Sequence, residues 1–176
     1  LQHGHPDVLR RMRRPHDVQQ IYDMVAALRR AMPDIAIRST FIVGFPGETE
    51  VEFRALLDLL EQVRFDKVGV FQFSSEPGTL ACEMPDQVPD EVKQERYDRA
   101  MMLQQRISAE INQKLIGRRL RVLIEGVRDG TSVGRSYRDA PEIDGVVNVA
   151  AELPVGHFAD VEIVSADEYD LTGQLI

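Results

Sequence analysis

Apolar residues recur at helical spacing in the first two-thirds of the chain and at strand spacing in the last third. Ile21, Met24, Val25 and Leu28 mark a helix from Asp17 to about Met32, which Pro33-Asp34 ends. Phe53, Leu56, Leu57, Leu60 and Val63 mark a second, from about Glu50 to Arg64. A third starts at Pro89-Asp90 and runs to about Leu115, with Gly117 suited to its C-terminus. Pro6-Asp7 can open a short helix through Met12. Between the helices, Ile35–Val43 and Lys67–Phe73 read as strands. The order α-β-α-β-α implies a parallel sheet with covering helices. Two strands do not make a stable sheet of this kind, so further N-terminal strands of a larger α/β domain are expected.

Strand alternation sorts the first strand into two faces. Ile35, Ile37, Ser39, Phe41 and Val43 suit packing under helices. Ala36, Arg38, Thr40 and Ile42 form the other face, where Arg38 is either an anion ligand or a buried arginine paired with an acid. The strand runs into Gly44-Phe45-Pro46-Gly47, where two glycines permit a sharp turn and close approach of bare backbone to a ligand. Thr49 with Glu52 is a capping-box pattern that opens the next helix. Strand end, glycine turn and helix N-terminus together suit a polar small molecule, or simply an ordinary βα turn. Residues 74–89 form a long loop with little predicted structure, and Cys82 within it reads as a plain loop or packing residue.

After Gly117 the pattern changes to short strands: 120–127, 132–136, 146–149, 159–164 and 171–175. Asp129-Gly130 is a hairpin signal. Five strands in this length predict a small closed OB-like β-barrel. The boundaries that follow are residues 1–107 for the α/β part and 111–176 for the barrel.

Composition narrows the function. The net charge of −8 argues against simple phosphate-backbone binding. Residues 111–176 hold 7 basic and 11 acidic side chains, and residues 1–110 hold 14 and 18, so each part carries −4. That balance fits a basic protein partner better than naked nucleic acid. Arg10, Arg11, Arg13 and Arg14 form a local basic cluster, a solvated helix end or an anion site. One cysteine excludes an internal disulfide and any iron–sulfur cluster held by this chain alone. His3, His5 and His16 are read as lying in polar loops and His157 in a turn, with no second ligand at metal-binding spacing. No charged-then-apolar leader or membrane-length apolar run appears, so a cytoplasmic location without membrane attachment is expected.

Residues 42–49, Ile-Val-Gly-Phe-Pro-Gly-Glu-Thr, resemble the fifth-strand motif of radical S-adenosylmethionine (SAM) enzymes. Arg64-Phe65-Asp66 and residues 84–89, Met-Pro-Asp-Gln-Val-Pro, resemble the methylthiotransferase branch of that superfamily. The tail resembles a TRAM domain. Its segments Gly134–Tyr137, Asp139–Gly145 and Ala166–Leu171 resemble the ribosomal-protein aspartate methylthiotransferases more than the tRNA-modifying branch.

The resemblance implies the C-terminal part of a TIM-like partial (β/α) radical SAM barrel followed by an all-β TRAM barrel. It implies transfer of a methylthio group to an aspartate of a small-subunit ribosomal protein, with SAM and 4Fe-4S clusters as cofactors. Neither of the family's cysteine sets is present, so this stretch alone is expected to be inactive. Gln2 would hydrogen-bond the SAM ribose or its amino-acid part, and Arg38 would pair with the SAM carboxylate. Gly44 would let the strand end approach the adenine, and Phe71 would form an apolar wall or a plain core side chain. The barrel's Glu142, Asp144, Asp167, Glu168 and Asp170 would face the basic protein, or form a solvated acidic surface. A tRNA substrate, or a non-catalytic TRAM module contacting ribosome or RNA, are the alternatives.

Overall fold

Capping and packing fix each helix of the N-terminal unit. The computed structural model describes residues 1–176 and divides them into two units, Leu1–Gln104 and Gln105–Ile176. In the first, α1 (Pro6–Arg11), α2 (Val18–Ala31), β1 (Arg38–Val43), α3 (Glu50–Val63), β2 (Lys67–Gln72), α4 (Leu80–Glu83) and the start of α5 (Asp90–Gln113) follow in order. The Asp17 carboxylate caps α2 by accepting the Gln20 N–H at 3.3 Å. Ile21 and Val25 are buried while Met24 is 51% exposed, so the buried stripe of α2 is narrower than its pattern predicts. At α3 the Thr49 hydroxyl accepts the Glu52 N–H and the Glu52 carboxylate accepts the Thr49 N–H at 2.8 Å, the reciprocal capping box expected from the sequence. Arg64 ends α3 in the left-handed region at φ 52°. The Arg29 guanidinium donates to the carbonyls of Val63 and Arg64 at 2.6 and 2.7 Å, satisfying oxygens that the helix end leaves open.

β1 and β2 are parallel, in register from Arg38 opposite Lys67 to Val43 opposite Gln72. β1 starts at Arg38 rather than Ile35, because the Ile37 N–H donates to the Asp66 carboxylate at 2.8 Å instead of to a neighbouring strand. Ser39, Phe41 and Val43 are buried. They share the core with Phe53, Leu56, Leu59, Leu60 and Val63 of α3, and the Phe41 and Phe65 rings lie 5.6 Å apart. The loop expected over residues 74–89 contains α4, capped by Thr79. Gln87 clips this helix by donating to the carbonyls of Ala81 and Met84 at 2.9 and 3.0 Å. No helix is long and apolar enough to cross a membrane.

In the second unit β3 (Arg119–Arg128), β4 (Thr131–Arg135), β5 (Val147–Val149), β6 (Phe158–Ala166) and β7 (Leu171–Leu175) close in the order β3-β4-β5-β7-β6. Asp129 and Gly130 both have positive φ, 50° and 78°, as a two-residue hairpin turn of matching twist requires. Alternation puts Leu120, Val122, Ile124, Val147, Val149, Val161, Ile163 and Leu171 inside. The last turn of α5 joins this unit. Asn112 donates to the carbonyls of Asp167 and Glu168, each at 3.1 Å, and Gln113 to that of Ala166 at 2.7 Å. The expected parallel α/β arrangement and five-stranded closed barrel are both present.

Candidate functional site

Parallel strands leave backbone groups and loops converging beyond their carboxyl ends, where open α/β sheets bind ligands. Here those ends frame a cleft of about 280 Å³. Gln2, Ile42, Phe45 and Phe73 line it, with Leu80, Ala81 and Met84 from the α4 region and Arg11 to Arg14 from the end of α1. The Phe45 and Phe73 rings meet edge to face at 5.1 Å. The Gln2 carbonyl accepts the Ile42 N–H at 2.9 Å, so the first residues run alongside β1 on the side away from β2.

The glycine turn is fixed by Glu48. Its side chain is fully buried. One oxygen accepts the Gly44 N–H at 3.0 Å and lies 3.4 Å from the Phe45 nitrogen. The other pairs with the Arg96 guanidinium at 3.0 Å, and Arg96 also donates to the Glu48 carbonyl at 3.0 Å. Gly44 has φ +75°, and a Cβ there would stand 2.3 Å from the Lys93 side chain, so a lysine stem already covers that side of the turn. Gly47 donates its N–H to the Asp86 carbonyl at 2.8 Å, joining the 84–89 segment to the same turn.

Glu52 organises the outer edge. Arg11 donates to both of its oxygens at 3.0 Å, and Arg11 also reaches the Gly47 carbonyl at 3.2 Å. Burial works against ionisation of this carboxyl, but the bonds from Arg11 and Thr49 outweigh it and lower its pKa to about 2. His5 and Asp7 stand near enough to Glu52 to suggest a cation site. Their ligand atoms are already engaged: His5 Nδ1 accepts the Asp7 N–H, Arg10 holds the Asp7 carboxylate, and Glu52 has four donors.

Of the residues singled out from the sequence, Gln2 lines the cleft. Gly44 stands at the turn, one residue before Phe45 of the cleft wall. Phe71 is in register with Ile42 and 59% exposed, on the open sheet face with Thr40 and Gly69 rather than in the core. Arg38 is on that face too, at the opposite end of β1 from Gly44. Six residues at about 3.3 Å each separate them by roughly 20 Å, so Arg38 and the strand-end cleft are not brought together.

Several positions depart from what the sequence suggests. His3, read as a polar-loop residue, is fully buried at 3.4 Å from Glu48. Ile42, Phe45, Phe73 and Met84 were not identified as cleft residues, although the glycine turn between Val43 and Glu48 was the available signal. In the barrel, Asp144 and Asp170 accept the N–H groups of Ala140 and Val146 at 2.7 and 2.9 Å, so two of the five acids assigned to a partner surface hold turns instead.

Comparison with known proteins gives this geometry its class. Residues 1–60 match the Radical SAM superfamily, and residues 116–176 match the TRAM domain. The chain therefore joins a segment similar to radical SAM proteins to a TRAM-like barrel. Over its whole length it is 53% identical to the ribosomal protein uS12 methylthiotransferase RimO of Roseiflexus sp. (strain RS-1), covering 38% of that protein. It is 54% identical to the counterpart of Roseiflexus castenholzii and 53% to that of Chloroflexus aurantiacus, covering 38% and 40% of them. The similarity to these methylthiotransferases runs along the whole chain, which spans about two fifths of the length of the relatives it matches.

Proposed function

We propose that this chain is part of a radical SAM methylthiotransferase that adds a methylthio group to an aspartate of a small-subunit ribosomal protein. Residues 1–107 would be the C-terminal portion of the radical SAM domain and residues 111–176 the TRAM domain. The observation that carries the reading is the strand-end cleft beside the Glu48-fixed turn, in a chain about half identical to uS12 methylthiotransferases along its full length.

The cleft's chemistry fits SAM. Ile42, Phe45, Phe73 and Met84 offer an apolar wall for a flat base, and Gln2 and the Arg11–Arg14 run offer polar partners for a ribose and a carboxylate. SAM, when bound, supplies the radical that removes hydrogen from the target carbon. The chain's own residues bind and orient it. Gln2 would hydrogen-bond the ribose or amino-acid part, and the backbone at Gly44 would face the adenine. Phe71 would extend the apolar wall along the open face. Arg38, farther down that face, would take the carboxylate in place of the Arg11–Arg14 run only for a ligand extended along the strand. A 4Fe-4S cluster does not fit the residues present, because Cys82 is one half-buried thiol where such a cluster needs three. Its ligands would lie outside these 176 residues.

The TRAM barrel would hold the protein substrate, and Glu142, Asp167 and Glu168 remain its acidic candidates. Contact with ribosome or RNA through the barrel would be a further partner. A ribosomal-protein substrate fits a cytoplasmic location without membrane attachment. The test is mass spectrometry after incubating the full-length, cluster-loaded protein with SAM and reductant, once with uS12 and once with tRNA. A methylthio mass gain on an aspartate of the ribosomal protein is expected. A gain on tRNA alone would move the assignment to the tRNA-modifying branch.

A further inference from the structure

The sequence Gln2-His3-Gly4-His5 lies in a tight groove against the N-terminal half of α3. A Cβ at Gly4 would stand 2.7 Å from the Ala55 carbonyl oxygen and from the Leu56 Cα, so only glycine allows this approach. The flanking His3 side chain is fully buried. Its Nδ1 accepts the His5 N–H at 3.0 Å. An acceptor nitrogen carries the lone pair, so Nε2 is the ring's N–H donor. That nitrogen makes no hydrogen bond, and Glu48 Oε2 lies 3.4 Å from it. This is the same oxygen that receives the Gly44 N–H. Directly before His3, the Gln2 carbonyl receives the Ile42 N–H.

We propose that His3 is a positioning residue: its Nε2 edge stands against the Glu48 carboxylate and couples the Gly44–Phe45 turn to the neighbouring Gln2 segment. Through one imidazole the turn and the Gln2 segment share a buried anchor. Glu48 then has three separate groups converging on it: the turn amides, Arg96 from α5, and His3 from the edge of β1. A displaced ring would leave Glu48 with two of the three and would free Gln2 and the turn to move independently. The consequence for SAM rests on the reading of the cleft given above. The consequence for the turn does not.

Two variants separate the roles of the two ring nitrogens. His3→Asn keeps a polar atom near Nδ1 for the His5 N–H and removes the donor facing Glu48. His3→Gln carries its amide to the Nε2 position and keeps that donor. Hydrogen exchange with mass detection on the full-length protein reads the peptide containing Gly44 and Phe45. Exchange about tenfold faster in His3→Asn, with His3→Gln within about threefold of wild type, is expected. The Asn variant is also expected to bind SAM about tenfold more weakly in calorimetry, with His3→Gln restoring most of the affinity. Wild-type exchange in the folded Asn variant, or equal acceleration in both variants, would overturn the proposal. A wild-type protein that gives no binding heat with SAM would instead defeat the reading of the cleft, and the exchange result would still judge the His3–Glu48 coupling.

Discussion

At the scale of the residue, Glu48 and Glu52 divide the work of the GFPGETEVE segment. Glu48 faces inward and fixes the turn through the Gly44 amide, whereas Glu52 caps α3 and receives Arg11. Neither buried carboxylate is left without a cation, which is what burial of a charge demands. Glu52 has a consequence for pH. Its pKa is lowered from 4.5 to about 2, so it stabilises the fold fully above the unfolded value. That contribution is lost as pH falls through the window from about 4.5 to about 2. Glu52→Gln is expected to lower stability at neutral pH by on the order of 2 kcal/mol and to flatten the decline across that window. Chemical denaturation of wild type and variant at pH 7, 4 and 3 checks this. A parallel decline in both would show that Glu52 is not the group responsible.

Among the elements, those whose determinants are local were legible from the sequence. Thr49 and Glu52 announce their capping box three residues apart, and Asp129-Gly130 announces its hairpin in two. The barrel strands show their inside positions by alternation, as Val122 and Ile124 or Val161 and Ile163 illustrate. What was not legible depends on partners far apart in sequence. His3 meets Glu48 across 44 intervening positions, and nothing near His3 marks it as buried. Ile37 is drawn out of the predicted strand by Asp66. Phe71 is apolar but faces the open side of the sheet, which its alternation alone could not assign. The element most sensitive to a small change is β4. A Cβ at Gly134 would stand 2.2 Å from the Leu123 carbonyl oxygen, a backbone atom that cannot swing aside. Gly134→Ala is expected to cost the barrel about 2 kcal/mol or more, read as a lower midpoint in denaturant unfolding followed by near-UV signals of the TRAM unit. An unchanged midpoint would mean that the β3–β4 pair yields at no cost.

For the whole molecule, the acidic balance now has a more restricted meaning. Both parts carry −4, but Asp144 and Asp170 serve backbone turns, and in the N-terminal unit Glu48 and Glu52 pair with Arg96 and Arg11. The acids free to meet a basic partner are fewer than the composition suggests, and Glu142, Asp167 and Glu168 are the barrel positions to vary first. Similarity to the uS12 methylthiotransferases runs along the full chain, while the assignment of the cleft to a nucleoside rests on geometry. Calorimetric titration of the full-length protein with SAM tests that claim most directly, comparing wild type with Gln2→Ala, Phe45→Ala and Arg38→Ala. Gln2→Ala and Phe45→Ala are each expected to weaken binding by about fivefold or more, near 1 kcal/mol. Arg38→Ala weakens it as well if the ligand's carboxylate reaches along the strand, and unchanged affinity in that variant alone retires Arg38. Wild-type affinity in folded Gln2→Ala and Phe45→Ala proteins would contradict the assignment of the strand-end cleft to SAM.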